Sequence, residues 1–143
     1  MTQELAGNLI VQDGRILLIY RKDEEHWGSQ PSQGESCSTS NTEGCWRLPG
    51  GKVKEKESPT QAAVREAEEE IGVELSLEKP FYSGEFQHKD QIFLWHCYQA
   101  SINGEPELQE DKFEKLEWIE TSELDELDLA PNIEMILPAL RKI

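Results

Sequence analysis

Long apolar runs are missing from this 143-residue chain. No stretch approaches the 18 or so consecutive apolar residues of a membrane-spanning helix. The N-terminus, Met1-Thr-Gln-Glu-Leu-Ala6, lacks the basic start and apolar core of a signal peptide. Cysteine is scarce too. Cys37, Cys45 and Cys97 make an odd count with no C-x-x-C pair, which argues against structural zinc and for reduced thiols in a cytoplasmic protein. Cys37 and Cys45 lie near enough in sequence to bridge, but the inferred compartment argues against it. Basic residues are in deficit, 14 against 29 acidic, for a formal charge of −15. Such a field repels nucleic-acid polymers and anionic membrane surfaces, which are bound through basic patches. It also repels a small phosphorylated substrate unless a metal ion neutralises the site locally. Acidity that merely keeps the chain soluble is compatible with both. Several catalytic sets are absent as well. No Ser-His-Asp arrangement is recognisable, and Gly50-Gly51-Lys52 lacks the upstream glycine and following Ser or Thr of a phosphate-binding Walker loop. His26, His88 and His96 stand apart from any partner at ligand spacing, and Cys97 in an apolar strand reads as buried and inert.

What is present fits one domain over residues 1–143, long enough to bury roughly 70% of its unfolded surface. Gly7-Asn-Leu-Ile-Val-Gln12 and Arg15-Ile-Leu-Leu-Ile-Tyr-Arg21 flank Asp13-Gly14, a strong hairpin signal. Their nearly continuous apolar centres predict a sheet covered on both faces. Residues 23–45 are rich in Ser, Gly and Gln without periodicity, the composition of a mobile loop. That loop is either unstructured without a role or a lid, with Trp27 as a stacking group. Trp46-Arg-Leu-Pro-Gly-Gly51 predicts a short strand entering a glycine turn. Ser58-Pro59-Thr60-Gln61 starts a helix with N-cap Ser, first-turn Pro and Gln three residues on, and Gly72 stops it, so it spans about 59–71 with Ala63, Ala67 and Ile71 facing the sheet. Strands follow at 73–77, 81–86 and 91–98, a turn at Asn103-Gly104, and an alternating strand at 113–119. Thr121 or Ser122 caps a short helix through Leu127, and Pro131-Asn132 opens a closing helix to Leu140. This order predicts an α/β protein with a mixed sheet between helices.

The helix at 59–71 carries the chemistry. Glu66, Glu69 and Glu70 stand at i, i+3 and i+4 and share one side. Like charges so placed repel by a few tenths of a kcal/mol per pair, and a hard divalent cation turns that repulsion into coordination. A solvated acidic face is the ordinary reading of such a run. The surrounding spacing decides against it. Gly51, Glu57, Arg65, Glu66, Glu69, Glu70, Gly72 and Val73 fall on the pattern G-x5-E-x7-R-E-U-x-E-E-x-G-U. The chain therefore resembles the Nudix hydrolases. Its one departure is Ala67 where the pattern asks for a bulkier aliphatic residue, a difference of helix packing and not of metal chemistry.

The resemblance implies the α/β/α Nudix fold and hydrolysis of a pyrophosphate bridge with Mg²⁺, or Mn²⁺, as cofactor. It implies Glu66, Glu69 and Glu70 as metal ligands with the Gly50 carbonyl beside them. Glu66 or Glu69 is the candidate general base; Arg65 holds a glutamate in place and Glu57 supports the loop. A further acidic ligand is expected from the loop before the late strand, where Glu110 or Asp111 is favoured over Glu107. A solvated loop charge weighs about evenly against that. The partner implied is a small nucleotide, and family members are often homodimers.

The substrate clues lie outside the motif. The Pro or Tyr that marks ADP-ribose and dinucleoside polyphosphate subfamilies is absent from His88-Lys-Asp-Gln-Ile-Phe93, as is the coenzyme A signature. What remains resembles MutT-like nucleoside triphosphate pyrophosphohydrolases. Asn132 is then a candidate reader of a purine edge, against plain helix capping, which Asn does well. Trp46 and Arg21 are the other candidate substrate contacts, although aromatic residues beside strands are more often core. Cleavage of ADP-ribose or a nucleotide sugar is the alternative enzymatic reading. A binding module without turnover is the alternative outside catalysis, and the intact glutamate set argues against it.

Overall fold

The structure is a computed structural model and describes residues 2–21, 45–88 and 90–142, without the side chain of His88. The predicted loop at 23–45, with Trp27, His26 and Cys37, lies almost wholly outside those residues. Among the described residues a seven-stranded mixed sheet runs in the order β3-β2-β1-β6-β5, with β4 also on β1 and β7 also on β2. The strands are β1 (Thr2–Gln12), β2 (Arg15–Arg21), β3 (Cys45–Arg47), β4 (Gly50–Lys52), β5 (Glu74–His88), β6 (Gln91–Asn103) and β7 (Phe113–Glu120). The helices are α1 (Pro59–Ile71) and α2 (Pro131–Leu140), with a 3-10 turn at Thr121–Glu126.

Asp13 and Gly14 both take positive φ, 54° and 78°, the backbone that a tight β1–β2 hairpin requires. Side chains then alternate across the sheet with period two. Leu5, Leu9, Ile16 and Leu18 join Ile133, Ile136 and Leu140 of α2 in one core. Ile10, Leu17 and Ile19 join Ala67 and Ile71 of α1 in the other. One helix thus covers each face, as the order of elements predicted, in the α/β/α arrangement that the resemblance implied.

Four local expectations needed correcting. The strands expected at 73–77 and 81–86 are one strand, β5, running through Pro80. It survives because β5 is the edge of the sheet, where a missing N–H goes unused, and because the register shifts around Leu77/Lys79 and Pro80/Tyr82. The glycine turn expected after the short strand at 46–51 is itself a strand: β3 pairs with β2 while β4 turns to β1. The cap expected at Thr121 or Ser122 falls one residue earlier, at Glu120, whose N–H donates to Glu123 at 3.4 Å. Cys45 is disulfide-bonded, unlike the reduced thiol expected. Cys97 is buried and free.

Candidate active site

The acidic helix is fixed at both ends by its own sequence. Ser58 and Gln61 form a reciprocal capping box, Gln61 N–H donating to Ser58 Oγ at 3.1 Å and Ser58 N–H to Gln61 Oε1 at 2.9 Å. Gly72, at φ 68°, donates its N–H to the Glu68 carbonyl. Ala62, Ala63, Ala67 and Ile71 are completely buried, so small side chains hold α1 against the sheet. One anchor escaped sequence reasoning. The fully buried Asn8 of β1 donates from Nδ2 to the Ala63 carbonyl of α1 at 3.0 Å and to the Pro49 carbonyl at 3.3 Å. It ties the helix to the turn that delivers Gly50.

Arg65 is saturated. Its Nε and Nη2 grip both oxygens of Glu57 at 2.8 and 2.9 Å, and Nη2 also donates to the Lys52 carbonyl at 3.0 Å. Nη1 donates to Glu66 at 2.9 Å and to Glu69 at 3.1 Å. The two-pronged pair draws the Glu57 carboxyl down to about 2, mainly through Arg65 and secondarily through the Lys54 N–H. The same partners hold the guanidinium firmly protonated. Arg65 thus ties Glu57 and the Lys52 carbonyl of the loop to Glu66 and Glu69 of the helix.

Glu70 is 3% exposed and accepts the Gly50 N–H at 2.9 Å. Burial first, and the neighbouring Glu66 carboxylate second, push its carboxyl well above the usual range. Glu66 packs against Gly51: a Cβ there would come within 2.5 Å of Glu66 Oε2. Glu69 lies further out, with a side chain 44% exposed.

Glu66, Glu70, Gly50 and Gly51 line a cavity of about 310 Å³. Its wall also takes in Lys112 and Asn132 from distant elements. Arg21, Arg47 and Lys52 line it as well. Four of the chain's 14 basic residues thus converge on one opening of a strongly acidic protein. Sequence reading had singled out only Arg21, because the other three have no local pattern to mark them.

Among the described residues no three His, Cys, Asp or Glu side chains converge tightly enough to hold a metal ion. The donor chemistry nevertheless fits one. Two adjacent carboxylates share the wall, and the buried member lacks a cation strong enough to keep its carboxyl in the normal range. Divalent charge is the natural remedy. Glu66 and Glu70, with Gly50 on the same wall, are the group that could hold it.

The structure separates the remaining candidates. Asn132 is the second residue of α2, not its cap; Ala130 occupies that place. Its side chain is 7% exposed, and its Oδ1 is buried without a hydrogen-bond partner. Capping therefore does not account for Asn132. Trp46 is 8% exposed, packs edge-on to Tyr20 at 5.2 Å and is absent from the cavity wall. Its backbone matters instead: Trp46 N–H donates to the Asp128 carbonyl and the Ala130 N–H to the Trp46 carbonyl, which sets the start of α2. Glu110 is also off the wall, with its Oε1 3.5 Å from Lys112 Nζ.

Comparison with known proteins agrees with this arrangement. A family model described as NUDIX domain matches residues 3–140. A CTP pyrophosphohydrolase of Escherichia coli (strain K12) is 30% identical over 129 residues, covering 90% of this chain and 83% of that protein. An 8-oxo-dGTP diphosphatase of the same organism is 32% identical over 97 residues, 67% of this chain and 74% of that protein. The crystal structure of a MutT NUDIX hydrolase from Burkholderia pseudomallei superposes with a TM-score of 0.73 at 31% identity, covering 96% of this chain and 97% of that one. Motif, fold and relatives converge: the chain belongs to the NUDIX domain family and is a hydrolase of pyrophosphate bonds.

Proposed function

We propose that this enzyme hydrolyses a nucleoside triphosphate to the monophosphate and pyrophosphate. One observation carries the reading. Asn132, whose buried Oδ1 has no hydrogen-bond partner, lines the same cavity as Glu66, Glu70 and four basic side chains. A buried acceptor left without a donor costs about 1–3 kcal/mol, so a ligand that supplies an N–H there is favoured. A base edge supplies it, while the basic side chains meet the phosphates.

Glu66 and Glu70, with the Gly50 carbonyl and Glu69 nearby, are the residues that would hold Mg²⁺ or Mn²⁺. When bound, the ion neutralises phosphate charge and lowers the pKa of the attacking water. The chain's own residues do the rest. Glu66, on the wall and oriented by Arg65, accepts a proton from the water as its oxygen bonds to phosphorus. The bridging P–O bond breaks and pyrophosphate leaves with its electron pair. Glu57 and Arg65 keep the glutamates in register, and a misplacement of about 1 Å there is worth up to roughly 100-fold in rate.

A cytosine base is the second reading, because the CTP pyrophosphohydrolase relative covers more of the chain than the 8-oxo-dGTP diphosphatase relative. Both bases offer an N–H to an Asn acceptor. A chromatographic product assay with Mg²⁺ on CTP, normal and oxidised purine triphosphates, ADP-ribose and nucleotide sugars decides. Monophosphate plus pyrophosphate, abolished in Glu66→Gln and Glu70→Gln, is the expected result. AMP plus a sugar phosphate, or no turnover at all, overturns the proposal.

A further inference from the structure

Lys112 has no place in the motif, yet it lies on the cavity wall. It is delivered there by a segment docked on the C-terminal end of α1. The Glu107 N–H donates to the Ile71 carbonyl at 3.0 Å and the Gln109 N–H to the Glu70 carbonyl at 2.9 Å. These bonds fill helix-end carbonyls that have no partner within α1, and they bring residues 110–113 beside the glutamates. Lys112 Nζ then rests 5.3 Å above the Phe113 ring and 3.5 Å from Glu110 Oε1.

That ion pair is loose. Glu110 Oε1 is buried and accepts no hydrogen bond, and the Lys112 side chain is 39% exposed. At 3.5 Å the pair makes no hydrogen bond and the lysine side chain lies partly in solvent, so Glu110 holds the ammonium only weakly. Of the other cations on the wall, Arg21 and Arg47 already have partners, and Lys52 is exposed as Lys112 is. Lys112 also acts favourably on the Glu70 carboxylate across the wall.

We propose that Lys112 is a phosphate-contact residue, which turns from Glu110 to the polyphosphate chain when the substrate binds with its divalent cation. A polyphosphate offers the ammonium a stronger acceptor than Glu110. This deepens the triphosphate reading and rests on it. Contact with phosphate oxygens that persists through the reaction appears in KM and not in kcat.

Two binding measurements that need no turnover test it. Inorganic triphosphate is titrated calorimetrically with Mg²⁺ present, and Mn²⁺ alone is titrated by electron paramagnetic resonance. In Lys112→Met, triphosphate binding weakens about three- to tenfold, and Mn²⁺ binding does not weaken, because a competing cation is gone. Lys112→Arg keeps triphosphate affinity within about twofold, since the charge remains. A local distortion would weaken both ligands together; that result, or unchanged triphosphate binding in Lys112→Met, overturns the proposal. Wild-type turnover on the nucleotide panel is scored separately. An enzyme inert on triphosphates that still loses inorganic triphosphate affinity in Lys112→Met defeats the functional reading and keeps this one.

Discussion

Replacing Glu70 by Gln should make the metal-free protein more stable and the enzyme inactive. The carboxyl is 3% exposed, lies beside Glu66 and accepts one backbone N–H, from Gly50 at 2.9 Å. Its ionised form therefore pays for burial and for a like charge one helical turn away. The amide of Glu70→Gln keeps the Gly50 bond and removes both penalties. Relief of the i, i+4 repulsion is worth a few tenths of a kcal/mol. Relief of charge burial with partial hydrogen bonding brings the total to about 1–2 kcal/mol. For a chain of this size that is about 3–6 °C in melting temperature. The sign with pH follows from linkage. The folded-state pKa of Glu70 is raised above its unfolded value of 4.5, so the wild type binds a proton more tightly when folded. Its stability relative to Glu70→Gln is then greatest below 4.5 and declines as pH rises through the folded value. Melting curves of both proteins in EDTA across that range, repeated with Mg²⁺, provide the assay. Mg²⁺ should raise the wild-type melting temperature, more so at higher pH, and leave Glu70→Gln nearly unmoved. A lower melting temperature for Glu70→Gln in EDTA at pH 8, or an undiminished Mg²⁺ response, would refute the reasoning.

The two glycines of β4 should fail differently. A Cβ at Gly50 would collide with the Ala6 carbonyl oxygen and come within 2.7 Å of Gly7 Cα; because both are backbone atoms, Gly50→Ala should cost about 3 kcal/mol in denaturant titration. At Gly51 the obstacle is the end of the Glu66 side chain, at 2.5 Å, so Gly51→Ala should fold normally and lose turnover by about tenfold or more. Asn132→Leu removes an orphaned buried acceptor. It should hold or raise the melting temperature and raise KM for nucleotides, while inorganic triphosphate binds as before. Trp46→Ala should destabilise by about 3 kcal/mol and leave KM unchanged at temperatures where the variant is folded, because its ring sits in the core and off the cavity wall.

The sequence by itself determined whatever depends on contacts within about one helical turn or one hairpin. The helix from Pro59 to Ile71 was legible to the residue, because Ser58, Gln61 and Gly72 satisfy its ends locally. Asp13-Gly14 declared its hairpin for the same reason. The shared side of Glu66 and Glu70 followed from spacing along one short segment, while the pairing of Arg65 with Glu57 came from the structure. Tertiary structure alone decided what lies across the cavity. Arg21, Arg47, Lys52 and Lys112 come from separate elements, and nothing local signals their convergence. Asn132 looked like a cap until Ala130 took that position, and Trp46 looked like a stacking group until the core enclosed it. The strands expected at 73–77 and 81–86 join through Pro80 because β5 is a sheet edge, which its sequence neighbours do not reveal. In each case the deciding quantity was a partner many residues away, set by register and packing, and a single sequence encodes such partners only through the whole fold.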